Sequence, residues 1–105
     1  MADDENIVLK WNEDTGKFEP VESEEGMREG IFLELKAIER KWIYFYISGV
    51  PMIARLTALR AANGISKTGF VHPSTGIRLG VECKLDEEVS PFKNIQEYVQ
   101  KSQRD

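Results

Sequence analysis

Arg40-Lys41-Trp42-Ile43-Tyr44-Phe45-Tyr46-Ile47 is the densest aromatic stretch of the chain, and the fold turns on how its two faces are read. Side chains of a β-strand point alternately to opposite faces. Ile43, Phe45 and Ile47 make one wholly apolar face, which reads as core. Trp42, Tyr44 and Tyr46, with Arg40 at the edge, make the other. Indole and phenol rings carry large flat surfaces with polar handles, suited to stacking and to half-wet surfaces.

The flanking sequence extends this pattern. Upstream, Gly30 opens a second alternating run over residues 30–39, with Ile31, Leu33, Leu35 and Ala37 on one parity and Phe32, Glu34, Lys36 and Ile38 on the other. Period-2 alternation predicts a strand, although Leu, Glu, Lys and Ala also suit a helix. Downstream, residues 51–63 stay open. Met52, Ile53, Leu56, Leu59 and Ala62 sit at helical spacing, with Pro51 at the first position and Asn63-Gly64 as a stop. Alternatively, residues 51–57 form a third strand and residues 58–63 a short helix. Phe70-Val71 can start a further strand, and residues 72–76 are a turn cluster. Residues 77–85 alternate cleanly, with Ile77, Leu79, Val81, Cys83 and Leu85 on one face, and predict a strand in which Cys83 is a small buried hydrophobe. Residues 86–88 read as an acidic turn. Ser90-Pro91 then looks like a helix start, with Phe92, Ile95 and Val99 on one stripe and Tyr98 beside it.

Before this region, Ile7, Leu9 and Trp11 alternate, residues 12–16 carry a turn signal, and Pro20 interrupts a second extended run. Residues 6–22 read as a loose hairpin or extended arm, residues 22–26 as an acidic loop, and residues 1–5 as a frayed end. The expected division is an acidic N-terminal arm or hairpin over residues 1–29 and a body over residues 30–105, a single domain overall.

A chain of 105 residues holds one modest core. Its net charge of −4 hides an asymmetry. Residues 1–29 carry ten acidic and three basic side chains, residues 30–85 three acidic and eight basic, and residues 86–105 five acidic and three basic. A basic centre between acidic ends can mark an anion-binding body with acidic arms; a solvated surface of mixed charge accounts for it equally. No apolar run is long enough to span a bilayer, and MADDENIV lacks the features of a secretory signal. One cysteine excludes an internal disulfide, and one cysteine with one histidine cannot build a four-ligand zinc site. These features predict a cytoplasmic protein with no membrane span, structural metal or cofactor.

Catalytic patterns are weak. There is no phosphate-cradling glycine loop. Glu34 and Glu82 lie on strand faces where Lys36, Arg78 or Lys84 are natural cross-strand partners. His72 precedes a proline in a turn. No nucleophile, base and orienting group come together in the pattern, so a non-enzymatic role is expected.

The outward parities collect Lys36, Arg40, Trp42, Tyr44, Tyr46, Arg55, Arg78 and Lys84. Sequence-tolerant binders of single-stranded nucleic acid combine a basic groove with aromatic faces on which bases stack, at roughly 1–3 kcal/mol per base. The competing reading buries Trp42 and the tyrosines beneath the N-terminal arm or a terminal helix, with Trp11 and Phe18 packed on them.

The run GIFLELKAIERKWIYFYI, followed by VPMIARLTALRAANGI, STGIRLGVECKL and PFKNIQEYV, resembles small OB-fold domains of the single-stranded-DNA-binding type found in phages and bacteria. The resemblance covers residues 30–100 and rests on pattern and order. It implies a mainly β, five-stranded OB-like barrel with one or two short helices, whose second and third strands face the ligand through Trp42, Tyr44, Tyr46 and Arg55. The alternative fold is an α+β sheet with helices at 51–63 and 91–103.

Two functions follow as expectations. One is a module for single-stranded nucleic acid, DNA ahead of RNA, with phosphates met by Lys36, Arg40, Arg55, Arg78 and Lys84 and bases stacked on Trp42, Tyr44 and Tyr46. The other is a protein–protein adaptor or inhibitor that uses acidic termini and an aromatic patch, which can also serve as an oligomer interface.

Overall fold

The computed structural model describes residues 7–21, 30–47, 49–88 and 92–104. The strands are β1 Ile7–Asn12, β2 Lys17–Pro20, β3 Gly30–Lys36, β4 Lys41–Ile47, β5 Phe70–Val71, β6 Arg78–Leu79 and β7 Lys84–Glu87; the helices are α1 Met52–Thr68 and α2 Ile95–Arg104. The expected frayed end at 1–5, the acidic loop at 22–26 and the Ser90-Pro91 helix start lie outside the described residues.

The chain is mainly β, built on one five-stranded sheet in the order β2-β1-β3-β4-β7. β1 to β4 pair antiparallel, and β7 joins β4 in parallel. The sheet is open, with β2 and β7 as its edges, so these strands do not close into the expected barrel. The parallel pair accounts for α1: antiparallel strands can be joined by a tight turn, whereas parallel strands need a crossover, usually a helix. Of the arm and hairpin alternatives, residues 7–20 form the hairpin, β1 paired antiparallel with β2, and it is part of the sheet. β1 lies inside the sheet, between β2 and β3, and Leu9, Trp11 and Phe18 are buried in the core.

Both helix alternatives are what the chain adopts, with shifted ends. α1 runs through Asn63-Gly64, where a stop was expected, and ends at Gly69. There φ is +86°, and the Gly69 amide donates to the Ile65 carbonyl at 2.7 Å. A side chain at Gly69 would collide with Val81 Cγ2 at 2.7 Å and the Leu79 carbonyl oxygen at 2.9 Å. α2 begins at Ile95. Asn94 Oδ1 accepts from the Glu97 amide at 2.9 Å, and the Glu97 carboxylate accepts from the Lys93 amide at 3.4 Å, a near relative of the capping box. Tyr98 faces inward on this helix and Val99 outward.

The predicted strand over residues 77–85 is interrupted. Arg78–Leu79 pairs with β5, and the chain then turns through positive φ at Gly80 (+67°) and Glu82 (+52°) before β7 begins. Cys83 is half-buried against the core.

The core has two halves, one on each side of the sheet. Leu9, Trp11, Leu33, Leu35, Trp42 and Tyr44 pack beneath α1 with Ala58 and Ala62. Phe32, Phe45, Ile47, Phe92 and Tyr98 pack on the opposite face. Here the Phe45 and Tyr98 rings stack with centroids 3.6 Å apart and planes 7° from parallel.

Candidate functional site

The aromatic face of β4 is not a surface. Trp42 is 0%, Tyr44 1% and Tyr46 6% exposed, because α1 lies across them. Base stacking on these three rings, as expected from the alternation, is therefore corrected. The helix covers them closely because the positions it turns inward are small. Ala58, Ala62 and Ser66 recur every four residues and are its buried positions. Such a stripe lets the helix backbone approach bulky sheet side chains.

The basic residues of the expected site do not assemble either. The register Leu35↔Trp42 and Lys36↔Lys41 places Lys36 on the α2 side of the sheet, opposite to α1. There it lies 3.7 Å from Glu34. Arg40 sits exposed in the β3–β4 turn at φ +56°. Lys84, on the sheet edge, pairs with Asp86 at 3.7 Å. Arg78 Nη1 donates to the Thr68 carbonyl at 2.7 Å, where it satisfies the C-terminal end of α1. Arg55 alone joins the aromatics, and from the helix.

What the fold assembles instead lies where the first half of α1 meets β4 and β7. Met52, Arg55, Leu56 and Leu59 face Tyr44, Tyr46 and Glu87 across a cleft of about 190 Å³. The Tyr44 hydroxyl donates to the Arg55 carbonyl at 2.7 Å, and Arg55 Nη1 donates to the Tyr46 hydroxyl at 2.7 Å. The guanidinium carbon stands 4.7 Å from the centre of the Tyr46 ring, a cation–π distance. Arg55 Nε is buried without an acceptor. Burial, followed by the charge of Glu87, pushes the Tyr44 hydroxyl up to about 12 against the opposing pull of Arg55, so it remains a neutral donor.

With Ala58, Ala62 and Ser66 turned inward and Leu59 and Ile65 packed at the flanks, the large residues of the first turns of α1 stay outside. Met52, Ile53 and Leu56 are 64%, 80% and 55% exposed. Periodicity over residues 51–63 contained this signal. Ala58 and Ala62 fall on a different side of the helix from Met52, Ile53 and Leu56, but sorting them requires knowing which side meets the sheet.

A second cleft of about 220 Å³ lies on the other face, among Lys36, Glu39, Lys41, Glu88, Tyr98 and Lys101. Its charges are mutually engaged. Lys41 lies 3.7 Å from Glu39 and 3.4 Å from Asp86, Lys101 pairs with Glu88, and the Tyr98 hydroxyl donates to Glu34. Burial alone would lower the Lys41 pKa, but Glu39 and Asp86 outweigh it and hold it above the ordinary lysine value. Among the described residues no group of three or more His, Cys, Asp or Glu could hold a metal ion, and no helix is long and apolar enough to cross a membrane.

The chain matches no family model, no curated protein and no solved structure.

Proposed function

We propose that this chain is a non-enzymatic protein-binding module, an adaptor or inhibitor of the cytoplasm, whose contact surface is the outer face of α1. The observation that carries the reading is the group of exposed apolar side chains Met52, Ile53 and Leu56 beside the Tyr46–Arg55 cleft. Single exposed hydrophobes are common on soluble proteins; a cluster on one helix end beside a notch has the character of an interaction site. The size of the notch favours a protein partner over a small metabolite. At about 190 Å³ it is smaller than the roughly 300–1,000 Å³ of typical ligand pockets and suits one anchoring side chain. Arg55, half-buried where it lines the notch, is a residue type that recurs as an energetic anchor in such contacts.

The test compares wild-type chain with an Ile53→Glu/Leu56→Glu variant as bait in extract, with matched melting temperatures. A partner retained by the wild type and lost by the variant supports the reading. Identical recovery by both, or specific recovery by neither, refutes it.

A further inference from the structure

The partner segment that fits this surface is identified by charge. α1 carries Arg55, Arg60 and Lys67 and no acidic residue over its 17 positions. Met52, Leu56 and Arg60 are spaced four apart, so they follow one another along one side of the helix. All three are exposed. The outer surface thus grades from apolar at Met52, Ile53 and Leu56 to basic at Arg60 and Lys67. The cleft combines the same two kinds of group. Met52, Leu56 and Leu59 line it as apolar groups from α1, and the Arg55 guanidinium lines it as the basic one.

We infer that the occupant is an acidic amphipathic segment of a partner protein, which seats an apolar side chain in the Tyr46–Arg55 cleft and presents carboxylates to Arg55 and Arg60. This rests on the protein-binding reading above and adds the partner's chemistry. Glu87 is the one acidic residue of the cleft and belongs to β7. It orients the occupant, since carboxylates are favoured on the α1 side and repelled on the β7 side. Rim charges of this kind act mainly on association rate and on choice of partner, while the anchored apolar group governs retention.

The probes are a blocked decapeptide of leucine and glutamate, its leucine–lysine counterpart, and a serine–glutamate control, each titrated into the full chain at low salt while the methyl signals of Met52, Leu56 and Leu59 are followed. The leucine–glutamate peptide is expected to shift these methyls. Its affinity should fall about tenfold in Arg60→Glu, an exposed position that leaves the fold intact, and weaken with added salt. The lysine and serine peptides should leave the methyls in place. The inference is overturned if the lysine peptide binds as well as the glutamate peptide, if the glutamate peptide moves other methyls only, or if no peptide moves any. It is also overturned if the chain instead sediments with phosphatidylserine vesicles in an Arg60-dependent way. If the bait experiment yields a partner lost in the Ile53→Glu/Leu56→Glu variant while the glutamate peptide fails, the charge assignment alone is refuted. If the bait experiment fails as well, the protein-binding reading falls with it.

Discussion

The indole N–H of Trp42 donates to the carbonyl oxygen of Gly80 at 3.0 Å, and the two residues leave no space for a side chain between them. A Cβ at Gly80 would meet the indole ring, within 2.6 Å of Cε2, and φ at Gly80 is +67°. The bond satisfies the one polar group of a fully buried tryptophan and ties the β6–β7 connection to the middle of the sheet.

Gly80→Ala therefore combines a left-handed backbone, at roughly 1–2 kcal/mol, with overpacking against a rigid ring, at roughly 1–3 kcal/mol. We expect a loss of about 3 kcal/mol in urea unfolding, together with a red shift of tryptophan emission as the indole is displaced. A loss below about 0.5 kcal/mol would mean that the glycine is dispensable and the close approach incidental.

Gly64 makes the opposite case. It lies inside α1 with open space where a Cβ would go, and it is exposed. Gly64→Ala removes backbone freedom from the unfolded chain without disturbing the folded one, so it should stabilise by about 0.5–1 kcal/mol. If α1 instead ended at Asn63-Gly64, the same substitution would be neutral or destabilising, so the sign of the change in melting temperature locates the helix end.

β3 is legible because Glu34 and Lys36 break the apolar run and leave an alternation over residues 30–36. Parity alone makes β4 a half-exposed strand, yet Trp42 to Ile47 are six consecutive large apolar or aromatic residues. An unbroken run of that kind is what burial on both faces produces. The scattering of the candidate site has a different origin. Parity within one strand does not say which parity of the next strand shares its face; pairing decides that. Leu35↔Trp42 put Lys36 and the aromatics on opposite sides of the sheet. The break at Gly80 was invisible for a third reason, since it is set by a tryptophan 38 residues away.

Burial of the indoles yields a direct expectation for nucleic acid. Trp42 is fully buried and Trp11 nearly so, and the Trp11 indole N–H donates to Glu13 Oε1 at 2.7 Å. Titration with oligothymidylate at low salt should leave tryptophan emission unchanged within about 5%, in contrast to the deep quenching that base stacking on an aromatic platform produces. Saturable quenching abolished by Trp42→Phe would require α1 to move off the sheet and would restore the stacking platform.

Tyr44 offers a test of the cleft through pH. Its folded-state pKa, about 12, lies above the ordinary value of 10. Folding therefore favours the protonated hydroxyl, so the associated stability is fully present below pH 10 and is lost as pH rises through 12. Within that window the contribution falls by about 1.4 kcal/mol per pH unit. Tyr44→Phe cannot titrate. At pH 8 it should cost about 1 kcal/mol for the lost hydrogen bond to the Arg55 carbonyl, and between pH 10 and 12 its stability should fall less steeply than that of the wild type. Chemical denaturation at pH 8, 10, 11 and 12 measures both slopes. Parallel slopes would mean that the Tyr44 hydroxyl is not held between Glu87 and Arg55 beneath the helix, and the first half of α1 would then have to sit away from β4.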